Sequence, residues 1–133
     1  MTVEQPSTLA STVITQLGSD IDGEATNDQS GQSVAISADG TRVAIGAYTN
    51  QVSGSYSGHV RVYSWNGSSW TQTGLDLDSR ATREQFGWSV AISADGNRVA
   101  VGVPGTNGNG VPGQVRVYTW NGSSWAQTGS DIS

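Results

Sequence analysis

The chain writes one passage twice. SGQSVAISADGTRVAIGA at 30–47 returns as FGWSVAISADGNRVAVGV at 86–103, identical at 13 of 18 positions. GHVRVYSWNGSSWTQTG at 58–74 returns as GQVRVYTWNGSSWAQTG at 113–129, identical at 14 of 17. Ser33 aligns with Ser89, Asp39 with Asp95 and Gly46 with Gly102, 56 residues apart, while Val60 aligns with Val115 and Trp70 with Trp125, 55 apart. A period of this length belongs to architectures in which one small unit cannot bury its own faces and must stack on another.

Each copy reads as four strands. SVAIS (33–37) and RVAIGA (42–47) flank Ala38-Asp39-Gly40, a tight-turn signal because glycine tolerates positive φ. HVRVYSW (59–65) and WTQTGLDL (70–77) flank Asn66-Gly67-Ser68-Ser69. Parity places Arg61, Tyr63, Trp65, Trp70 and Gln72 on one face and Val60, Val62, Thr71 and Thr73 on the other. Val34 and Ile36 oppose a face of alanine and serine. Strands apolar on both sides, with small residues on one, suit sheets covered on both faces. The aromatic cluster reads first as cross-strand packing and second as a platform for sugars.

The fold class expected is therefore all-β: two four-stranded antiparallel propeller-blade repeats plus an extra N-terminal strand. A β-sandwich and a β-solenoid are the alternatives. The divisions are 1–17, an arm and surplus strand; 18–74, the first repeat with its leading linker; and 75–133, the second repeat. The surplus strand is visible because TQLGSDID at 15–22 aligns with TQTGLDLD at 71–78 and AQTGSDIS at 126–133, with Ile14 standing where the full copies have tryptophan.

Composition narrows the function classes. Net charge is −5 and all six basic residues are arginine, so no basic stripe exists to track a nucleic acid. There is no cysteine for a disulfide, thiolate nucleophile or thiolate metal site. No apolar run is long enough to span a bilayer as a helix, and the first residues lack the basic and apolar regions of a secretory signal.

Candidate chemistry is sparse. His59 is the sole histidine and aligns with Gln114, so a paired imidazole site is ruled out and a catalytic base is not expected. No G-x-S-x-G elbow occurs. GTNGNG at 105–110 has no lysine and no helix after it, and reads as a loop. Asn66 and Asn121 lie in N-x-S sequons whose letters the turns also require. The densest acidic group, Asp20, Asp22, Glu24 and Asp28, offers a weak Ca²⁺ site, but solvated or turn-capping carboxylates are the expectation. The second linker carries Arg80 and Arg83 instead, so Asp20 and Asp22 are expected to pair with them between repeats or subunits. No cofactor and no metal ligand are expected. Trp88, opposite Gln32 in the other copy, is the candidate for ligand binding.

QFGWSVAISADGNRVAVGVPG resembles an FG-GAP repeat, the blade of integrin-α-type propellers, with Phe86-Gly87 and Gly102-Val103-Pro104 at the name-giving positions. The first copy has Ser30-Gly31 and Gly46-Ala47-Tyr48 there. The family's calcium loop does not carry over: aligned on Asp39-Gly40, its other ligand positions fall on Ala35, Ser37 and Val43, and in the second copy on Ala91, Ser93 and Val99. One carboxylate per turn cannot supply the six to eight oxygens Ca²⁺ takes.

The resemblance implies a non-catalytic role in adhesion or structural assembly at an extracellular, cell or virion surface. A carbohydrate-binding propeller module using exposed tryptophan is the alternative, and the partners would be surface glycans or proteins. Two blades do not close a ring, so self-association as a trimer, tetramer or filament is expected. Thr12, Val13, Ile14, Thr15 and Leu17 are expected to supply the joint by adding a strand to a sheet edge.

Overall fold

The computed structural model describes residues 13–52, 54–104 and 112–133. The expected arm at 1–10, Thr12 and most of the loop at 104–112 lie outside the described residues. Within them there is no helix, and the strands form two antiparallel sheets. The first takes β1 (Ser33–Ile36), β2 (Arg42–Ala47), β3 (His59–Trp65) and β4 (Trp70–Gln72) in spatial order, with β5 (Leu77–Asp78) on the other end of β3. The second repeats the order with β6 (Ser89–Ile92), β7 (Arg98–Val103), β8 (Gln114–Trp120) and β9 (Trp125–Gln127).

The first hairpin closes as its letters require. Asp39 Oδ1 accepts from Ser37 Oγ at 2.9 Å, Thr41 N at 3.0 Å and Thr41 Oγ1 at 2.8 Å. Gly40 takes the left-handed conformation at φ +76°. These donors, the Thr41 amide foremost, hold the Asp39 carboxyl below its ordinary pKa. Asp95 repeats the arrangement with Ser93 and Asn97. Both aspartates form turns.

The fourth strand departs from the expected single run over 70–77. Gly74 sits at φ +78°, which carries the chain out of the extended region, and Leu75 and Asp76 leave the ladder. Leu77 then re-enters opposite Val60. In the second copy Gly129 at φ +74° does the same, and Ile132 exchanges two 2.9 Å backbone bonds with Val115.

The ladders confirm the face assignment: Tyr63 pairs with Gln72 and Trp65 with Trp70. The stacking joins unlike faces. Ala44, Val60, Val62 and Leu77, from the small-residue face of the first sheet, form one core with Val99, Val101 and Val103 from the opposite face of the second. Burying each such valine contributes roughly 1.5–3 kcal/mol. Backbones come closest where β1 and β2 meet β6. There Ser33 Oγ donates to the Gly87 carbonyl at 2.8 Å, and a Cβ on Gly46 would overlap that same oxygen. Arg42 crosses between sheets to the Gly96 carbonyl at 3.0 Å, and the Ala38 amide to the Ala94 carbonyl at 3.0 Å. At the outer edge indoles fill the space, with Trp125 Nε1 donating to the Thr73 carbonyl at 2.8 Å.

This order leaves one apolar face uncovered at each end. Val34 and Ile36 are 61% and 59% exposed, whereas their counterparts Val90 and Ile92 pack against the core. On the far side of the second sheet Val115 and Ile132 are exposed.

The surplus strand expected at the N-terminus has no ladder partner within the single chain. Val13 to Leu17 make no ladder bonds among the described residues, and Val13 and Ile14 are exposed. Leu17 and Gly18 are instead pinned from the side: Trp70 Nε1 donates to the Leu17 carbonyl at 3.0 Å, and Gly18 lies under Trp65 and Trp70. Thr73 and Gly74 hold the same position under Trp120 and Trp125. The leader therefore occupies the place that a preceding copy's fourth strand would take.

Candidate functional site

The polar groups of the first repeat converge where β3 begins. His59 and Arg61 alternate onto the Val34 face of the sheet, and the linker before β1 brings Glu24 and Asp28 over them. Arg61 Nε donates to Asp76 Oδ1 at 2.8 Å, and its Nη2 to Glu24 Oε2 at 2.8 Å and Asp76 Oδ2 at 3.1 Å. Buried Asn50 donates through Nδ2 to Glu24 Oε1 at 2.9 Å and Asp28 Oδ2 at 2.8 Å. The break after Gly74 puts Asp76 within reach, so the interruption of the fourth strand serves the site.

His59 is 3% exposed, and its Nδ1 has no hydrogen-bond partner. That atom stands 3.5 Å from Glu24 Oε1 and 3.7 Å from Asp76 Oδ2. Burial is the largest influence on the imidazole and lowers its pKa, against the opposing pull of Asp76. Burial would raise the Asp76 carboxyl, but hydrogen bonds from Arg61 and Gln72 outweigh it and leave the pKa lowered. Asp78, opposite His59 in the ladder, is raised by burial and by Asp76.

The second repeat builds a counterpart with different charges. Arg116, in place of Arg61, is buried and donates through Nη2 to Glu84 Oε1 at 2.7 Å and through Nη1 to Glu84 Oε2 at 3.2 Å. Its guanidinium lies 5.7 Å from the centre of the Phe86 ring. Ser79 Oγ and the Arg80 amide each donate to Glu84 Oε2 at 2.8 Å. Arg80 stands where the first repeat has Glu24, and pairs with Asp131 at 2.9 Å and with Gln127. Gln114 stands where the first repeat has His59 and accepts from Arg116 at 3.1 Å.

The acidic linker residues do not gather into one site. Asp20 accepts from Gln16 Nε2 at 2.8 Å, Asp28 is buried against Asn50, and Asp22 is exposed. Among the described residues, the acidic and histidine ligand atoms that lie within 4.8 Å of one another belong to Glu24, His59 and Asp76. Within the chain Arg80 turns to Asp131 rather than to Asp20 or Asp22. The Arg83 amide donates to the Ser55 carbonyl at 2.8 Å. Trp88 is 50% exposed, meets Tyr48 edge-on at 4.7 Å between ring centres, and lines an open groove with Gly102, Val115 and Ile132.

Two signals for this site were present in the sequence. Arg61 and Arg116 align at apolar-flanked strand positions, and Asp76 and Asp131 align after the glycine that breaks the fourth strand. The fold brings them together through that break.

No curated protein matches the chain. The FG-GAP repeat family model matches residues 20–63, from the linker that carries Glu24 and Asp28 through Tyr63 of β3. That match lies within the first unit of this chain, and the second unit repeats the strands, register and turns of the first.

Proposed function

We propose that this is a non-catalytic propeller-type repeat protein that associates with further copies through its blade faces, with the N-terminal segment as strand donor. Its setting is surface adhesion or a structural assembly, in keeping with the extracellular and surface proteins in which FG-GAP repeats are typical. One observation carries the reading. The small-residue face of one sheet packs on the valine face of the next, and one face of each kind is left uncovered at the two ends. Gly129 adds to it: Gly18 and Gly74 each lie under a tryptophan pair, while nothing comes within 4 Å of a Cβ on Gly129. The decisive measurement is the mass of the full chain by light scattering, alone and with residues 1–17 removed. A concentration-dependent multimer that changes on truncation supports the reading. A monomer at all concentrations refutes it, and an unchanged multimer removes the strand-donor role.

Trp88 supports a second reading, a carbohydrate-binding module. A half-exposed indole held edge-on by Tyr48 over an open groove is a surface on which a sugar ring can stack. The same groove lies on the face where the first sheet receives Phe86 and Gly87, which favours a further blade as its occupant. Glycan quenching of tryptophan fluorescence separates the two.

A further inference from the structure

We propose that Glu24, His59 and Asp76 form a binding site for one divalent transition-metal ion, with Zn²⁺ as the probe. Buried groups with polar atoms ordinarily find partners. His59 Nδ1 has none, and it points at two carboxylate oxygens 3.5 and 3.7 Å away that do not bond to it. With the imidazole proton on Nε2, the Nδ1 lone pair faces further lone pairs, an arrangement that a cation at their centre relieves. Metal–ligand bonds of about 2.0–2.1 Å in a tetrahedral site place ligand atoms about 3.3 Å apart. The observed separations are close to that value.

The counterpart site isolates the charge argument. Arg80, Glu84, Gln114, Arg116 and Asp131 balance to neutrality, whereas Glu24, Asp28, neutral His59, Arg61 and Asp76 leave an excess of two negative charges. The scaffold is shared. What differs is that a guanidinium and an amide are replaced by a carboxylate and an imidazole, which are donors to a metal. Arg61 donates to Glu24 Oε2 and to both oxygens of Asp76, and Asn50 donates to Glu24 Oε1. Contacts of this kind orient metal ligands, and they leave each facing oxygen a second lone pair. Glu24 and Asp76 are partly exposed, so water can complete the coordination. One imidazole nitrogen with carboxylate oxygens suits Zn²⁺ and its transition-metal neighbours better than Ca²⁺, which takes oxygen alone.

The test is calorimetric titration of the full chain with ZnCl₂, beside His59→Gln and Glu24→Arg, which install the residues that the second repeat already accommodates. Binding of one Zn²⁺ per chain is expected, weakened in His59→Gln by more than about 100-fold, the upper end of what losing an outer contact costs. Because His59 is the sole histidine, its imidazole signals in a ¹H–¹³C spectrum are self-assigned. They should shift on Zn²⁺ addition to the unmutated chain, which keeps the test independent of how the variants fold. Unmoved imidazole signals, or equal affinity in His59→Gln, would overturn the site. So would Ca²⁺ binding with equal strength to both chains, since that describes an oxygen-only site.

Discussion

Trp125 Nε1 reaches across the gap between the sheets to the main-chain carbonyl of Thr73 at 2.8 Å, and its ring lies against Gly74. Trp70 makes the same bond to Leu17. Each repeat thus grips the backbone that precedes it through one indole N–H. Trp125→Phe keeps an aromatic ring but leaves the Thr73 carbonyl without that donor. Stability should fall by about 1 kcal/mol, read as a lower denaturant midpoint with an unchanged slope. Trp70→Phe, at a more exposed bond, should cost less.

Gly46 and Gly102 are equivalent in sequence and unequal in surroundings. A Cβ on Gly46 would overlap the Gly87 carbonyl of the neighbouring sheet, whereas on Gly102 it would meet the side chain and carbonyl of Ser89 in its own sheet. Gly46→Ala should therefore destabilise by about 1–3 kcal/mol through overpacking, and Gly102→Ala by less. Thermal melts of the two variants check the ranking. If further copies cover the second sheet, Gly102→Ala should also lower the mass seen by light scattering while the fold persists.

Burial pushes the Glu84 carboxyl up, but Arg116, the Arg80 amide and Ser79 together hold it below its ordinary value of 4.5. A depressed pKa contributes stability above the unfolded value, and that contribution is lost as pH falls through the folded one. The part of the stability that Glu84 contributes should be constant above about pH 4.5 and decline below it. Glu84→Gln should cost about 3 kcal/mol at pH 7, because Arg116 keeps its buried charge with only Asp131 nearby, and its acid decline should be shallower. Urea unfolding at pH 3, 5 and 7 reads both effects.

Trp88→Ala removes a half-exposed ring whose main contact is Tyr48. The fold should survive with a loss of about 1 kcal/mol or less. If glycans quench the fluorescence of the unmutated chain, the quenching should vanish in this variant; if the groove receives another blade, solution mass should fall instead.

The strands and their register were legible because the passage is written twice and parity fixes the faces. Val34 and Ile36 read correctly as one face, but their exposure follows from the order of stacking, which no single copy encodes. Strand β5 was missed because Gly74 looks like an ordinary strand glycine until its φ is known. What the letters at the N-terminus did not disclose is how the segment sits on its own chain: they copy the end of a repeat, and Leu17 and Gly18 are held there by tryptophan contacts rather than by a ladder. His59 read as isolated because its neighbours Glu24 and Asp76 are distant in sequence and reach it through the linker and the strand break. The aligned arginines, with the aligned aspartates after the strand-breaking glycine, were the hints that a polar centre lay there.

The seating of Leu17 and Gly18 beneath Trp70 has a kinetic corollary. A segment tethered this closely competes at an effective concentration on the order of millimolar. An incoming chain end that presents Thr128 and Gly129 must outcompete it before docking. Seated there, the leader lowers the apparent affinity of a docking copy, and leaving Trp70 to donate its strand elsewhere would open that side at the same time.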